Sequence, residues 1–401
     1  IMTPKHSEHY ARATARMPWA TQTNAKRWRP EYGEFMPPFI KRGKGCRIWD
    51  LDDREYIDFR CALGPIILGY RYPEVEAAVR TQMENGVLFS MASPLELEAA
   101  EAFCQNVPWV EQIRFMKTGA DACSSCVRLA RAYTGREHIL TSGYHGYHDW
   151  SALSWPNSGV PRVLNEYVHE IKYGDREAVE RVFNEHGHEL AGAITVPYEW
   201  NEDTGEKFLA LLRQKCDQYG ALLIFDEVLT GFRLARGGAQ EYYGITPDLA
   251  AFAKAMANGY PVSAFAGKRE FMQTLEKTII TTTYAGETLS LAASKATMAI
   301  MRTQPVHDHI NKMGKRLRDG FQEIIKETGL PAHAAGVAAA PFVQFEGAGE
   351  QENMQWQSRL FAQLFQRGVF PSDRWFINFS HQLSDIDQTL ERVLEAARAV
   401  R

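Results

Sequence analysis

What the chain has little of narrows its class first. No apolar run approaches the ~20 residues that a membrane-crossing helix needs. The opening Met2-Thr3-Pro4-Lys5-His6 has none of the apolar core of a secretory leader, and Ile1 reads as a remnant ahead of a natural start at Met2. Cysteine is sparse: Cys46, Cys61, Cys104, Cys123, Cys126 and Cys216 are scattered over 401 residues. That is no disulfide framework, and a reduced, cytoplasmic protein is expected. Neither charge sign dominates, with 45 Lys+Arg against 49 Asp+Glu, which removes the electrostatic case for a nucleic-acid partner. No Gly-x-Gly-x-x-Gly follows an early strand, so a dinucleotide-binding unit is discarded. No internal repeat or low-complexity stretch is present. What is there is an ordinary globular composition, 45% hydrophobic and 23% charged, long enough for two to three domains at roughly 150 residues each.

Residues 1–45 are polar and broken by Pro30, Pro37, Pro38, Gly43 and Gly45, which predicts an arm without long elements. Cys46–Asp50 and Glu55–Phe59 are short apolar runs joined by Leu51-Asp52-Asp53-Arg54, a hairpin pattern. Strand-like runs then fall at 113–116, 138–141, 192–196, 221–225, 249–253 and 262–266, with helical patterns such as 120–133 and 207–219 between them. This alternation predicts an α/β protein with a mostly parallel sheet covered on both faces. From residue 300 the texture changes. A long helix is expected over 308–328, apolar segments over 337–345, a helix over 352–367, a short strand over 375–379, and a closing helix opened by Ser384-Asp385-Ile386-Asp387. The expected plan is an N-terminal segment 1–45, a large domain 46–300 and a smaller α+β domain 301–401 carrying the N-terminal segment.

Two residues stand out for chemistry. Asp226 ends the apolar run Ala221-Leu-Leu-Ile-Phe, and ligands of open α/β sheets sit beside the carboxyl ends of strands. It reads as a functional carboxylate, or as a helix cap or structural ion pair. Lys254 follows a second apolar run and precedes a Gly/Pro turn. There it reads as a poorly solvated amine with a lowered pKa, or as a surface lysine. Together, an acid for a pyridinium nitrogen and a lysine for a Schiff base are what pyridoxal phosphate requires. Lys117-Thr118-Gly119-Ala120 lies between a strand and a helix, where free N–H groups favour a phosphate. In Ser142-Gly143-Tyr144-His145-Gly146-Tyr147-His148-Asp149, Tyr144 has the shape to stack on a ring. His145 and His148 read as loop or core residues; no further ligand spacing accompanies them, and no metal is expected. Cys123-Ser-Ser-Cys126 lies on a helix face that reads as core rather than as a redox pair.

Asp226-Glu227-Val228 with Thr230-Gly231-Phe232-Arg233, then Lys254-Ala-Met-Ala-Asn-Gly-Tyr-Pro-Val, Gly237-Gly238-Ala239-Gln240-Glu241-Tyr242-Tyr243-Gly244, Leu63-Gly64-Pro65-Ile66-Ile67-Leu68-Gly69 and Tyr144-His145-Gly146 form a combined pattern. It resembles the class III, fold-type I pyridoxal-phosphate aminotransferases, and within them the glutamate-1-semialdehyde aminomutase branch. The resemblance runs from residue 41 to the C-terminus and implies a seven-stranded sheet with a smaller α+β domain. It implies that Lys254 holds the cofactor and moves the proton, that Asp226 pairs with the ring nitrogen, and that Val228 and Tyr144 flank the ring. Gly119 and Ala120 hold the phosphate in this reading. Thr283, in Thr283-Tyr284-Ala285-Gly286-Glu287, reaches it from the second subunit of a homodimer with shared sites. The substrate shell departs from the branch. Val196-Pro197-Tyr198-Glu199 replaces Glu-Pro, Leu63 stands for a tryptophan, and Asn378-Phe379-Ser380-His381 keeps only the histidine of Ser-Ala-Ala-His. The segment between Tyr144 and Gly174-Asp175 is also shorter. Arg60, Arg374 and Glu199 are the substrate candidates. The expectation is an aminotransferase acting on an amino acid donor, glutamate first, and an aldehyde or ketone. An aminomutase and a catalytically silent binding protein are the alternatives.

Overall fold

The computed structural model describes residues 2–154, 158–200 and 205–401; Ile1 lies outside them. The chain divides into two compact units, Ile1–Tyr72 with Asp308–Arg401, and Pro73–His307.

The first unit opens with a helix, Pro4–Thr14, which the breakers at 30–45 did not announce because it precedes them all. Thr3 caps it by accepting from the His6 N–H, and Pro4 occupies the first turn, where its missing N–H costs nothing. Strands β1 (Ile40–Lys44), β2 (Arg47–Asp50) and β3 (Glu55–Asp58) follow as an antiparallel meander. The expected hairpin is there, turning at Asp53 with φ +63°.

The second unit carries β4 (Gln112–Met116), β5 (His138–Ser142), β6 (Val168–Ile171), β7 (Leu190–Thr195), β8 (Leu222–Glu227), β9 (Leu249–Phe252) and β10 (Ser263–Gly267). They form one sheet in the order β4-β10-β9-β8-β7-β5-β6, with only β10 running against its neighbours. Every residue of β7, β8, β9 and β10 is buried. That is why these strands read as continuous apolar runs rather than alternating ones. β6 escaped the sequence pattern because Val-His-Glu-Ile is half polar, as an edge strand with one neighbour permits. The helix Gly119–Thr134 buries Ala122, Cys123, Cys126, Val127, Leu129 and Ala130 in one core with Ile139, Ile194, Ile224, Ala251 and Phe265 of the sheet. Gly135, at φ +69°, ends it in the left-handed cap that the sequence signalled.

The chain returns to the first unit in the helix Val306–Thr328, followed by the pair β11 (Ala332–Ala335) and β12 (Phe342–Phe345), the helix Glu350–Gln366 and β13 (Val369–Phe370). β13 runs parallel to β3 and completes the sheet β1-β2-β3-β13. Residues 47–58 therefore lie with the C-terminal part of the chain, not with the large sheet as the boundary at 46 had it. No strand forms over 375–379. Trp375, Phe376 and Ile377 are buried as their composition demands. Their N–H groups donate to Pro341, Phe59 and Ala339, scattered acceptors that make no ladder. The closing helix, Leu383–Val400, starts one residue early through a Gln382–Asp385 capping box. Among the described residues no helix is long and apolar enough to cross a membrane.

Candidate active site

The Pro73–His307 unit gathers most of the residues singled out by sequence at the carboxyl ends of its parallel strands. Asp226 is the fifth residue of β8 and is buried. Its Oδ1 accepts from the Val228 N–H at 3.0 Å, and its Oδ2 lies 2.7 Å from Nδ1 of the buried His145. Burying a carboxylate is costly without such partners. The imidazole, read from sequence as a loop or core residue, is its closest side-chain partner. Tyr144-His145-Gly146 leaves the end of β5, and β5 adjoins β7, which adjoins β8; that register brings His145 across to Asp226. His148 is engaged elsewhere, with Ser124 Oγ 2.6 Å from its Nδ1.

Lys254 follows β9 in the left-handed region at φ +43°, a strained setting for a side chain of this kind. Burial pushes its ammonium below the ordinary lysine range, against the opposing pull of Asp226. Tyr144 remains 57% exposed, and burial together with the Asp226 charge raises its phenol.

The start of the helix Gly119–Thr134 offers a place for an anion. Thr118 caps the helix Gly119–Thr134, taking the Asp121 N–H on its hydroxyl and the Ala122 N–H on its carbonyl. The first-turn N–H groups left over are those of Gly119 and Ala120, and a helix N-terminus attracts an anion there. Both glycines nearby are needed for close approach. A Cβ on Gly119 would sit 2.8 Å from Val228 Cγ1, and one on Gly146, at φ +100°, 2.4 Å from Ala120 Cβ. The half-buried amine, the paired aspartate and the open N–H pair fit pyridoxal phosphate.

The sequence pattern assigns Glu227 no role. Its buried carboxyl accepts from Thr230 Oγ1 at 2.6 Å and the Ala239 N–H at 2.7 Å. It thereby holds the turn after β8 to the helix Ala239–Tyr243. Burial outweighs these bonds and raises it to about 7. Cys123 and Cys126 are buried in the core, and burial drives both thiols up, so they pack as expected.

The remaining residues are placed as follows. Thr283 is exposed in a turn beside Tyr284. Val196 directly follows β7 and packs on Gly143, where a Cβ would meet its Cγ2 at 2.5 Å. Glu199 is half-buried just beyond, two residues before the undescribed 201–204. Arg60 and Arg374 belong to the other unit and are engaged within it. Arg60 donates to the Ala25 carbonyl, and Arg374 donates to the Asp373 carbonyl at 3.0 Å and lies 4.5 Å over the Phe342 ring. Beside Arg60, Cys61, Ala62 and Leu63 all have positive φ, at 47°, 55° and 74°. The buried Asp58 carboxylate steadies the start of this strained turn, accepting the Arg60 N–H at 2.8 Å and the Cys61 N–H at 3.1 Å. No sequence pattern announces three successive left-handed residues.

A seven-stranded, mostly parallel sheet with this lysine, aspartate and anion cradle at its strand ends defines a fold-type I pyridoxal-phosphate transferase. The chain belongs to the class III aminotransferases, whose family model matches residues 29–395, and it is a pyridoxal-phosphate-dependent aminotransferase of that family. It is 33% identical to a 3-aminobutyryl-CoA aminotransferase of Cloacimonas acidaminovorans (strain Evry), over 92% of this chain and 91% of the relative. It is 35% identical to a glutamate-1-semialdehyde 2,1-aminomutase of Thermus thermophilus, over 90% and 92%. In structure it resembles the internal aldimine form of the FumI protein of Sphingopyxis sp. MTA144, with a TM-score of 0.92 at 30% identity, covering 98% and 96% of the two chains.

Proposed function

We propose that this enzyme moves an amino group from an amino acid, glutamate first, to an aldehyde or ketone of sugar or secondary-metabolite origin, in cytoplasmic biosynthesis. The observation that carries the reading is that the cofactor residues keep the family pattern while the substrate-shell residues depart from it. Val196 packs on Gly143 where the aminomutase branch has a glutamate, and Leu63 stands in the strained turn in place of a tryptophan. The relative named for 3-aminobutyryl-CoA supports transfer between two molecules over rearrangement within one.

Bound pyridoxal phosphate supplies an electron sink that lets an α-proton leave the donor. Lys254 Nζ, with its pKa lowered by burial, is suited to hold the cofactor, then take the donor's α-proton and return it. Asp226, oriented by His145 and the Val228 N–H, pairs with the ring nitrogen. Val228 and Tyr144 flank the ring, and the Gly119 and Ala120 N–H groups bind the phosphate. Glu199, Arg60 and Arg374 remain the candidates for contacting substrate, an arginine gripping a donor carboxylate through two parallel bonds.

A homodimer with shared sites is part of the proposal, with Thr283 reaching the partner's phosphate. Its support is the exposure of Met83, Val87, Leu88, Phe89, Met91 and Leu97 over a short span, with Ile279 and Tyr284 flanking Thr283. The cytoplasmic setting rests on six free cysteines. The test is a half-reaction screen in which amino acids are added to the holoenzyme and the pyridoxamine form is followed by absorbance. Conversion by an amino acid and ping-pong kinetics are expected. The second reading, aminomutase, is favoured by several aminomutase relatives at 32–35% identity. Efficient conversion of glutamate-1-semialdehyde to 5-aminolevulinate without added donor would establish it and overturn the first.

A further inference from the structure

At the amino ends of β5 and β6, away from the ends that carry His145 and Asp226, three imidazoles meet. His138 is the first residue of β5, His169 the second of β6, and His186 the last of the helix Arg176–His186. His138 Nδ1 and His169 Nε2 are 2.9 Å apart, and one nitrogen from each of the three rings lies within 4.8 Å of the others. The rings stack loosely, with centroids 4.2 Å apart for His169 and His186, 5.2 Å for His138 and His169, and 5.6 Å for His138 and His186. All three are half-buried, so an ion can reach them from solvent.

A tetrahedral metal with nitrogen ligands at about 2.0–2.1 Å places those nitrogens roughly 3.4 Å apart. Separations from 2.9 Å to at most 4.8 Å bracket that spacing, and ring rotations cover the difference. His186 adds a second observation. Its Nδ1 is 2.8 Å from Glu189 Oε2, and a carboxylate on one imidazole nitrogen fixes the tautomer that leaves Nε2 free for a metal. The ligands lie 31 and 17 residues apart in sequence, on two strands and a helix, so no short motif betrays them. The expectation of no metal rested on that lack of a motif.

We propose that His138, His169 and His186 form a site for a divalent transition metal, zinc in the first instance, with Glu189 as a positioning residue and water in the fourth position. The bound ion ties the edge strand β6 and the helix Arg176–His186 to the sheet interior and takes no part in amino transfer.

The test uses holoenzyme dialysed against a chelator and titrated with zinc chloride by calorimetry, with metal content measured after gel filtration. One zinc per chain is expected, with a rise in Tm of roughly 5 °C at a hundredfold excess over Kd. Cobalt chloride in its place should give the visible bands of a tetrahedral centre. His169→Ala should abolish saturable uptake and the Tm rise while leaving the amino-transfer rate unchanged. Should that variant misfold, Glu189→Gln, on an exposed side chain, should weaken zinc binding roughly 10- to 100-fold. No saturable zinc uptake, or uptake unaffected by both variants, would overturn the proposal.

Discussion

Glu227 offers a test in which stability, rather than activity, reports on the site. In the unfolded chain its carboxyl has the ordinary value of 4.5, and in the fold burial raises it to about 7. The folded state therefore holds this proton more tightly than the unfolded state. Stability contributed by the neutral carboxyl is complete below 4.5, declines as pH rises from 4.5 to about 7, and is flat beyond. That gap corresponds to about 3 kcal/mol. If the loss falls on a unit of the size of Pro73–His307, it lowers Tm by roughly 6 °C. Glu227→Gln keeps an oxygen for the Ala239 N–H and an amide for Thr230 Oγ1 but does not titrate. The measurement is the Tm of both holoenzymes between pH 4.5 and 8.5, and the quantity is their difference, which cancels every other titrating group. The wild type should lose ground to the variant through the window and the two curves should run parallel above it. Parallel curves throughout would refute a neutral Glu227, and a wild type that gained on the variant with rising pH would show the carboxyl ionised by its hydrogen bonds.

Other expectations concern the cofactor. His145→Asn removes the imidazole from Asp226 and should slow the donor half-reaction roughly 10- to 100-fold; a shift in the pH midpoint of the cofactor's visible absorbance marks it as acting through Asp226, and an unmoved midpoint would deny that role. Gly146→Ala forces a Cβ against Ala120 at a left-handed φ and should weaken cofactor binding roughly tenfold or more, read by fluorescence titration. Lys254→Ala should purify without covalently held cofactor and without turnover, and a borohydride-fixed adduct mapped to any other lysine would refute its assignment. Thr283→Ala should weaken cofactor binding, and mixing it with Lys254→Ala subunits should give hybrids with one unmutated and one doubly mutated site; unchanged affinity, or a monomer at assay concentration, would count against the shared site.

The α/β alternation and the places of Asp226, Lys254 and Gly119 were legible in the sequence because each depends on local chemistry. Strands buried on both faces must be continuously apolar, as β7 to β10 are. A helix entered through Thr118-Gly119 and left through Gly135 carries its boundaries in its caps. Pairings between distant segments carry no such mark. That His145 serves Asp226, and that Glu227 anchors the helix Ala239–Tyr243, follow from strand order. The pairing of β3 with β13 joins segments some 310 residues apart, and a two-residue strand leaves no period to read. The buried run 375–377 looked like a strand because burial alone selects apolar residues, while a strand also needs a neighbour to bond. Histidines 138, 169 and 186 were unremarkable one by one. Only the sheet edge, by setting two strands in register and laying a helix end beside them, brought their nitrogens within reach of one ion.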